Sequence, residues 1–439
     1  MLAEDFFTAA CLKALVASNV DPATAANALA RVGAALPHLS FATYFLKKSA
    51  TEQAIAGTCK YSDQTRRTLH LTVTCGNIEI KGRCSRYSNK TIDSEDKALL
   101  MSLLDEAARA IARTQHQPTS LSDFGLSSVA KRVQALAGVN FDCVPLFQLL
   151  NSLAIRTYES RRLSYGVILV PSKSPGTTGV GFFSALENKR FLRLTDGYST
   201  ALVVGGDSGI RRLLALRAPT ESGAASRQRP LWLAPLATAA EGLGGVGVAL
   251  TRNGDILVTH RGRLHFSSRS GVWTAWRHSD LLAVVRSYWQ MVGHGSQLSD
   301  LLSYCYQVAL DLSFRRTGGL IAIAQTKESV ERLVASSRDL VGATNRGPER
   351  SLDAELQKRS MHKLDRRIVS DLASLDGAIV ATRKGTIRAY GAMLHSSKRK
   401  DQGSRTRAAI AASRRALVMK VSSDGDIKIY RNGSAVLSL

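Results

Sequence analysis

The sequence predicts an α/β (α+β) chain: a C-terminal mixed β-sheet flanked by helices, preceded by α+β modules with antiparallel hairpins. Three observations carry this. Past residue 296, segments of helical period alternate with short apolar strands. Before it, alternating runs meet at turns such as Gly76-Asn77 and Asn253-Gly254, as hairpins do. No internal repeat or low-complexity tract interrupts the 439 residues, a length that suits two or three domains.

The first module is placed at residues 1–120. "MLAEDFFTAACLKALV" reads as an amphipathic helix, not a signal peptide, because Glu4 and Asp5 stand where positive charge belongs. Asp21 as N-cap and Pro22 in the first turn start a second helix. Leu69, Leu71 and Val73 alternate with His70, Thr72 and Thr74 ahead of the Gly76-Asn77 turn, which predicts a hairpin. A long helix follows, with Leu99, Leu103, Ala107 and Ile111 on one face. "QHQPTSLSDFG" then marks a boundary.

The second domain, residues 125–295, opens with helices around "VAKRVQALAG" and "VPLFQLLNSLAIRTYES". It continues as strands: "YGVILVP", "STALVVGG", "IRRLLALR" and the hairpins from Gly245 to Trp276. "APTESGAASRQRP" reads as a flexible insertion between strands, and "HSDLLAVVRSYWQMVG" as a closing helix. The third domain, residues 296–439, begins with a helix that aligns Leu298, Leu301, Cys305, Val308 and Leu312. "GGLIAIA" is a buried-type strand and "KESVERLVAS" a helix. Met361, Leu364, Ile368, Leu372 and Leu375 form one helical stripe. "GAIVAT" and "GTIRAYG" are strands around Lys384-Gly385, "RTRAAIAASRR" is a short helix, "ALVMKV" a strand, and "IKIYRNGSAVL" a hairpin turning at Asn432-Gly433.

The bulk numbers narrow the function. With 44% hydrophobic and 21% charged residues, the composition is that of a globular protein. The apolar runs are far shorter than the roughly 20 residues that span a bilayer, so no membrane partner is expected and the chain reads as cytoplasmic. Cys11, Cys59, Cys75, Cys84, Cys143 and Cys305 show no metal-ligand spacing and suit buried positions in a reducing compartment. The net charge of +24 implies an anionic partner. Nucleic acid is one candidate, though not the favoured one.

Several motif-like stretches read better as structure. "GGDSG" at 205–209 lacks the surroundings of a protease nucleophile and reads as a turn. The glycines of "EGLGGVGVAL" precede a strand, whereas a dinucleotide fingerprint must open a helix. There is no P-loop sequence. His260, His265, Trp273, Trp276 and His278 interleave with Arg261, Arg263, Arg269 and Arg277, a mixture that can bind single-stranded nucleic acid or a nucleotide. A packed antiparallel sheet accounts for them better.

The third domain differs. Phosphoryl transfer needs a carboxylate for a divalent metal and donors for phosphate oxygens. Asp376 sits at a helix-to-strand junction, followed by Gly377, which permits close approach of a ligand. Gly403 and Ser404 open a helix whose N–H groups favour an anion. Arg405 and Arg407 add guanidinium forks. Taken alone, these residues also suit a solvated charged face.

The stretch from "LDAELQKRSMHKLDRRIVSDLASLDGAIVATRKGTIRAYGAML" to "GSRTRAAIAASRRALVMKVSSDGDIKIY" resembles the catalytic domain of diadenylate cyclases. It is most similar to the branch first described in DNA-integrity scanning proteins. The family's DGA motif is Asp376-Gly377-Ala378. Its G-[ST]-R-H-R motif is Gly403-Ser404-Arg405-Thr406-Arg407, and its strand-ending serine is Ser422. Gly319 stands for the alanine of the family's "GALI" strand. Thr406 stands where the family has histidine, and Ser423-Asp424 where an acidic pair often follows the serine. The resemblance covers the last third of the chain; the upstream region loosely resembles sensor modules that precede bacterial cyclase domains.

The resemblance implies condensation of two ATP into cyclic di-AMP and two pyrophosphates, in a homo-oligomer whose cyclase domains face each other. Asp376 would hold the metal, Mg²⁺ or Mn²⁺. Gly403, Ser404, Arg405, Thr406 and Arg407 would cradle phosphates, with Ser422 contacting them from the next strand. Gly377, Ala378 and Leu394 would complete the ATP site. The alternative is a degenerate cyclase fold that binds nucleotide as a sensor. Thr406 favours it; Asp376, Arg405 and Arg407 disfavour it.

Overall fold

The structure is a computed structural model that describes residues 21–48, 54–61, 65–76, 78–87, 90–113, 124–158, 160–171, 181–186, 194–217, 228–289, 296–343, 349–396 and 403–439. The helix expected at Met1–Val16, most of the 115–125 boundary and Lys398–Lys400 lie outside these residues. The chain forms two compact units: residues 1–218 with 235–280, and residues 219–234 with 281–439.

The first unit starts with α1 (Pro22–Ala35), whose first N–H groups are capped by the Asp21 carboxylate, which accepts from Ala23 and Thr24. Strands β1 (Leu39–Lys48), β2 (Ala54–Tyr61), β3 (Thr68–Gly76) and β4 (Ile78–Arg86) pair antiparallel in the order β1-β4-β3-β2. Helix α2 (Ser94–Arg113) buries Leu100, Leu103, Leu104, Ala107 and Ile111. It approaches β2 so closely that a side chain at Gly57 would overlap the backbone of Leu104 and Asp105. Asp105 in turn accepts from the Gly57 N–H at 2.9 Å.

Helices α3 (Leu126–Ala137) and α4 (Val144–Ala154) and the two-residue strands β5 (Thr157–Tyr158) and β6 (Arg161–Arg162) lead to a larger sheet. It comprises β7 (Tyr165–Leu169), β8 (Thr200–Val204), β9 (Ile210–Ala215), β10 (Val246–Leu250), β11 (Ile256–His260), β12 (Arg263–Arg269) and β13 (Val272–Ala275). Their order is β13-β12-β11-β10-β7-β8-β9; only β7 and β8 run parallel. Short α5 (Phe182–Leu186) precedes β8, and α6 (Ala234–Gly242) precedes β10. The buried residues of both sheets, among them Leu29, Leu71, Leu104, Phe147, Val167 and Trp273, make one continuous core.

The structural readings of the motif-like stretches hold in this unit. "GGDSG" is the β8–β9 turn, in which Asp207 accepts from Gly209 N–H at 2.9 Å. Trp273, Trp276 and His278 are buried, and Trp276 donates its indole N–H to Ser267 at 2.9 Å. Nearby, Asp96 is buried among Arg86, Arg277 and His38. Burial alone would raise its pKa, but these partners hold it well below the carboxylate range. The five described cysteines are buried and free.

In the second unit, α7 (His278–Trp289) runs in from the first, and α8 (Ser296–Arg315) buries Leu301, Cys305, Val308 and Leu312 as its period predicts. The sheet is built from β14 (Gly319–Ala324), β15 (Ala378–Thr382), β16 (Ile387–Ala392), β17 (Ala416–Val421), β18 (Ile427–Arg431) and β19 (Ser434–Ser438). Its order is β16-β15-β14-β17-β18-β19, with β14 and β15 parallel and the other pairs antiparallel: a mixed sheet flanked by helices. Leu320, Ala322 and Ala324 pack on one face with α9 (Lys327–Glu331) and α12 (Ser404–Ala412). Gly319 faces α8 and α11 (Arg366–Ser374) on the other. Helix α10 (Glu349–Lys358) lies between α9 and α11 in the chain.

One expectation needs correction. The stripe from Met361 to Leu375 is not one helix. A single 3₁₀ turn at Met361–Lys363 ends at Leu364, and Asp365 caps a new helix, α11, so the helical phase resets. Val369, Leu372 and Ala373 point inward, while Ile368 and Leu375 are exposed. Residues 218–227 of the insertion "APTESGAASRQRP" lie outside the described residues, and its last three residues are described. Arg229 is buried, and Asp311 accepts from the Leu231 N–H at 2.7 Å. Asp311 also takes a two-pronged contact from Arg366, at 2.5 and 2.6 Å, and Arg366 donates to the Arg229 carbonyl. This buried charge pair anchors the first turn of α11, the helix that leads to Asp376.

Candidate nucleotide site

Asp376 follows α11 directly and precedes β15. Its side chain is 87% exposed. Gly377 has φ +114°, and the space where a Cβ would project is filled by the backbone of Gly391 and Ala392. The freedom of Gly377 therefore serves its own chain: β15 and the end of β16 cross in contact there. Gly391 also takes positive φ, +57°. Together the two glycines fix where Asp376 leaves the sheet.

Helix α12 begins at Ser404 with Gly403 as N-cap, and no side chain caps it. Gly403 and Ser404 are exposed, and the space beside Gly403 is open. Uncapped N–H groups and the helix dipole make such an end receptive to an anion. Arg405, in the first turn, lays its guanidinium over Gly318, where any Cβ would overlap Nη1. From there its other terminal nitrogen stands 3.8 Å from the Asp376 carboxylate. Thr406 accepts a hydrogen bond from Lys420 Nζ at 2.9 Å. Arg407 is half-buried in the same turn, its N–H bonded to the Gly403 carbonyl at 3.1 Å.

The remaining expected site residues are placed differently. Ala378 and Leu394 are buried in the core shared with α9 and α12. Ser422 sits in the β17–β18 turn, its N–H and hydroxyl both donating to the Asp426 carbonyl, at 2.9 and 3.2 Å. Arg316 and Ser313 hold that turn from below through the carbonyls of Asp424 and Gly425.

Gly318 and Lys420 were not singled out by sequence. Their signals are a doubled glycine before an apolar strand and one lysine inside "ALVMKV". Gly319 could not be the alanine of the family pattern without adjustment: its Cβ would stand 2.6 Å from Leu312 Cδ1 and 2.7 Å from the Ala373 carbonyl oxygen.

Among the described residues no three His, Cys, Asp or Glu side chains cluster as a metal cage. Asp376 is a single exposed carboxylate beside an anion-receptive helix end. That donor set fits a hard divalent cation that arrives with phosphate oxygens and keeps water ligands. Also among the described residues, no helix is long and apolar enough to cross a membrane.

Residues 308–435, from α8 to β19, match the family model described as DAC, DisA bacterial checkpoint controller nucleotide-binding. No curated protein matches the chain. A solved structure described as a hypothetical membrane spanning protein from Bacillus cereus is similar at a TM-score of 0.26 and 20% identity, over 36% of this chain and 69% of that one. A double mutant of DacA from Staphylococcus aureus is similar at a TM-score of 0.20 and 22% identity, over 31% of this chain and 83% of that one. At such scores neither likeness bears on the chemistry.

Proposed function

We propose, taking residues 308–435 as a DAC-type nucleotide-binding domain, that the second unit condenses two ATP into cyclic di-AMP. The observation that supports this most is the placement of Arg405, seated on Gly318 and 3.8 Å from an exposed Asp376 at the open end of α12. A carboxylate and a phosphate-binding end therefore lie side by side.

In the reaction the 3′-oxygen of each ATP attacks the α-phosphorus of the other. One O–P bond forms and one breaks at each phosphorus, so two pyrophosphates leave and two hydroxyl protons go to solvent. The α12 N–H groups, Arg405 and Arg407 would bind triphosphate oxygens and stabilise charge on the departing pyrophosphate. Asp376 would hold Mg²⁺ or Mn²⁺, which supplies Lewis acidity at the phosphate oxygens. The product has two equal halves, so one domain supplies half the reaction and a facing copy supplies the rest. The first unit would act as the regulatory module.

Incubating the full chain with ATP and Mg²⁺ or Mn²⁺, then resolving products by mass, tests this. Cyclic di-AMP and pyrophosphate should appear in a one-to-two ratio. ATP bound without product would instead favour the nucleotide-binding sensor that Thr406 suggests. Neither binding nor product would reject both readings.

A further inference from the structure

We propose that Lys420 charges Thr406, so that the two side chains act as one cationic donor to a triphosphate oxygen, at the position that is histidine in the family pattern. This rests on the nucleotide reading of the site and adds a residue that no motif contains.

Lys420 lies on β17, in the row of Ala416 and Val418. Those two are buried in the core beneath α12. A third apolar residue would continue that row under the first turn of the helix. The chain places a lysine there, opposite Leu320 on β14 and Lys428 on β18. Its Nζ reaches up to Thr406 Oγ1, 2.9 Å away.

The electrostatic surroundings make this an uncomfortable place for a cation. Burial, then Lys428, and also Arg405 lower the lysine's pKa, while Asp424 and Asp426 act the other way. An anion at the α12 N-terminus would relieve that repulsion. Packing alone does not call for a lysine here, and a phosphate bound beyond Thr406 would account for one.

The hydrogen bond also fixes the direction of the threonine. An ammonium has donors only, so Thr406 Oγ1 must accept from Lys420. Its own O–H is then left to donate elsewhere. A hydroxyl that accepts from a cation is a polarised, charge-assisted donor. A histidinium offers the same combination, an N–H and a positive charge, within one ring.

Titrations of ATP and of adenosine into the full-length protein, Lys420→Met and Thr406→Val test the inference. Lys420→Met should weaken ATP about tenfold or more, the loss of one bond to a charged group, and leave adenosine unchanged. Thr406→Val should do the same. The double variant should be no worse than either single, because both remove one coupled donor. In Lys420→Met, adding Thr406→His should restore ATP affinity, increasingly as pH falls through the histidine range. Lys420→Met should melt no lower than the wild type, since it continues an apolar row.

Unchanged ATP affinity in Lys420→Met overturns the inference while leaving the nucleotide reading intact. So does a loss that is equal for ATP and adenosine and accompanied by a lower melting temperature, which marks a structural role. A wild type that binds neither ligand overturns the nucleotide reading itself.

Discussion

Gly318 and Gly319 are neighbours at the start of one strand, yet their alanine substitutions should have opposite consequences. At Gly318 a Cβ would overlap Arg405 Nη1, the far end of a flexible side chain; nearby backbone, the Val421 carbonyl, is 3.6 Å away. Its φ lies outside the left-handed region, so alanine adds no backbone strain. Gly318→Ala should therefore fold well and gain about 0.4–1 kcal/mol from a less flexible unfolded chain. The exposed Arg405–Asp376 pair it disturbs contributes only about 0–1 kcal/mol. Function should respond differently. A guanidinium pushed off its seat loses a charge-assisted bond to phosphate of about 1.5–3 kcal/mol, which is about tenfold to a hundredfold in ATP affinity. Gly319→Ala is the control. Its Cβ meets Leu312 Cδ1 at 2.6 Å and the Ala373 carbonyl oxygen at 2.7 Å, so the end of α11 must move, at a cost of about 1–3 kcal/mol. Thermal melts and ATP titrations on both variants separate the two effects. If Gly318→Ala binds ATP like the wild type, or melts as low as Gly319→Ala, Arg405 is not held for phosphate by that glycine.

The other expectations are simpler. Asp376→Asn should abolish cyclic di-AMP formation and leave the melting temperature unchanged, because the side chain is 87% exposed; turnover near the wild-type rate would remove Asp376 from the mechanism. Asp311→Ala strands the buried Arg366 guanidinium and should destabilise the second unit by about 3–5 kcal/mol, measured by denaturant unfolding, with no such loss for an exposed control such as Asp371→Ala. Acid should weaken the first unit well before its carboxylates titrate. Burial pushes His278 down to about 4 and His265 down to about 3, so only the unfolded chain takes up their protons near 6.5. That stability is complete above about pH 6.5 and lost progressively down to pH 3–4, on the order of a few kcal/mol per histidine. Asp96, held well below the carboxylate range, adds a further loss that begins as pH falls through the ordinary carboxylate range at about 4. Melting temperatures from pH 8 to 4 that stay flat would contradict neutral His278 and His265 in the folded unit.

Local signals were the legible ones. Asp21-Pro22 starts α1, and Lys384-Gly385 and Asn432-Gly433 turn where their residue types require. Strands β1 and β2 were not foreseen. "AIAGTCKY" is too rich in small residues to look like a strand, and its Gly57 makes sense only once α2 lies against it. The phase of α11 was misread because a hydrophobic count runs straight through Asp365, whereas the backbone restarts there. Motif matching named Asp376 and Arg405, and the fold places them 3.8 Å apart. It named Ala378 in the same motif, and Ala378, like Leu394, is buried in the core. Lys420 was invisible for a related reason. Its meaning lies in a partner fourteen positions away on another element.

The proposed site also implies an order of binding. In the structure Arg405 is shared between the α12 end, Gly318 and the Asp376 carboxylate, and the carboxylate contact is long and exposed. Such a contact is weak, and a triphosphate offers the guanidinium several closer anionic oxygens. Phosphate arriving at α12 would therefore draw Arg405 from Asp376 at little cost. The carboxylate would then be left as a free oxygen donor beside the same phosphates, which is where a divalent cation is best shared between protein and nucleotide. On the proposed reading, Arg405 lies beside the carboxylate proposed for the cation until nucleotide draws it away. On this argument the protein's affinity for a divalent metal should depend on nucleotide, and the dependence should disappear when Arg405 is replaced by methionine.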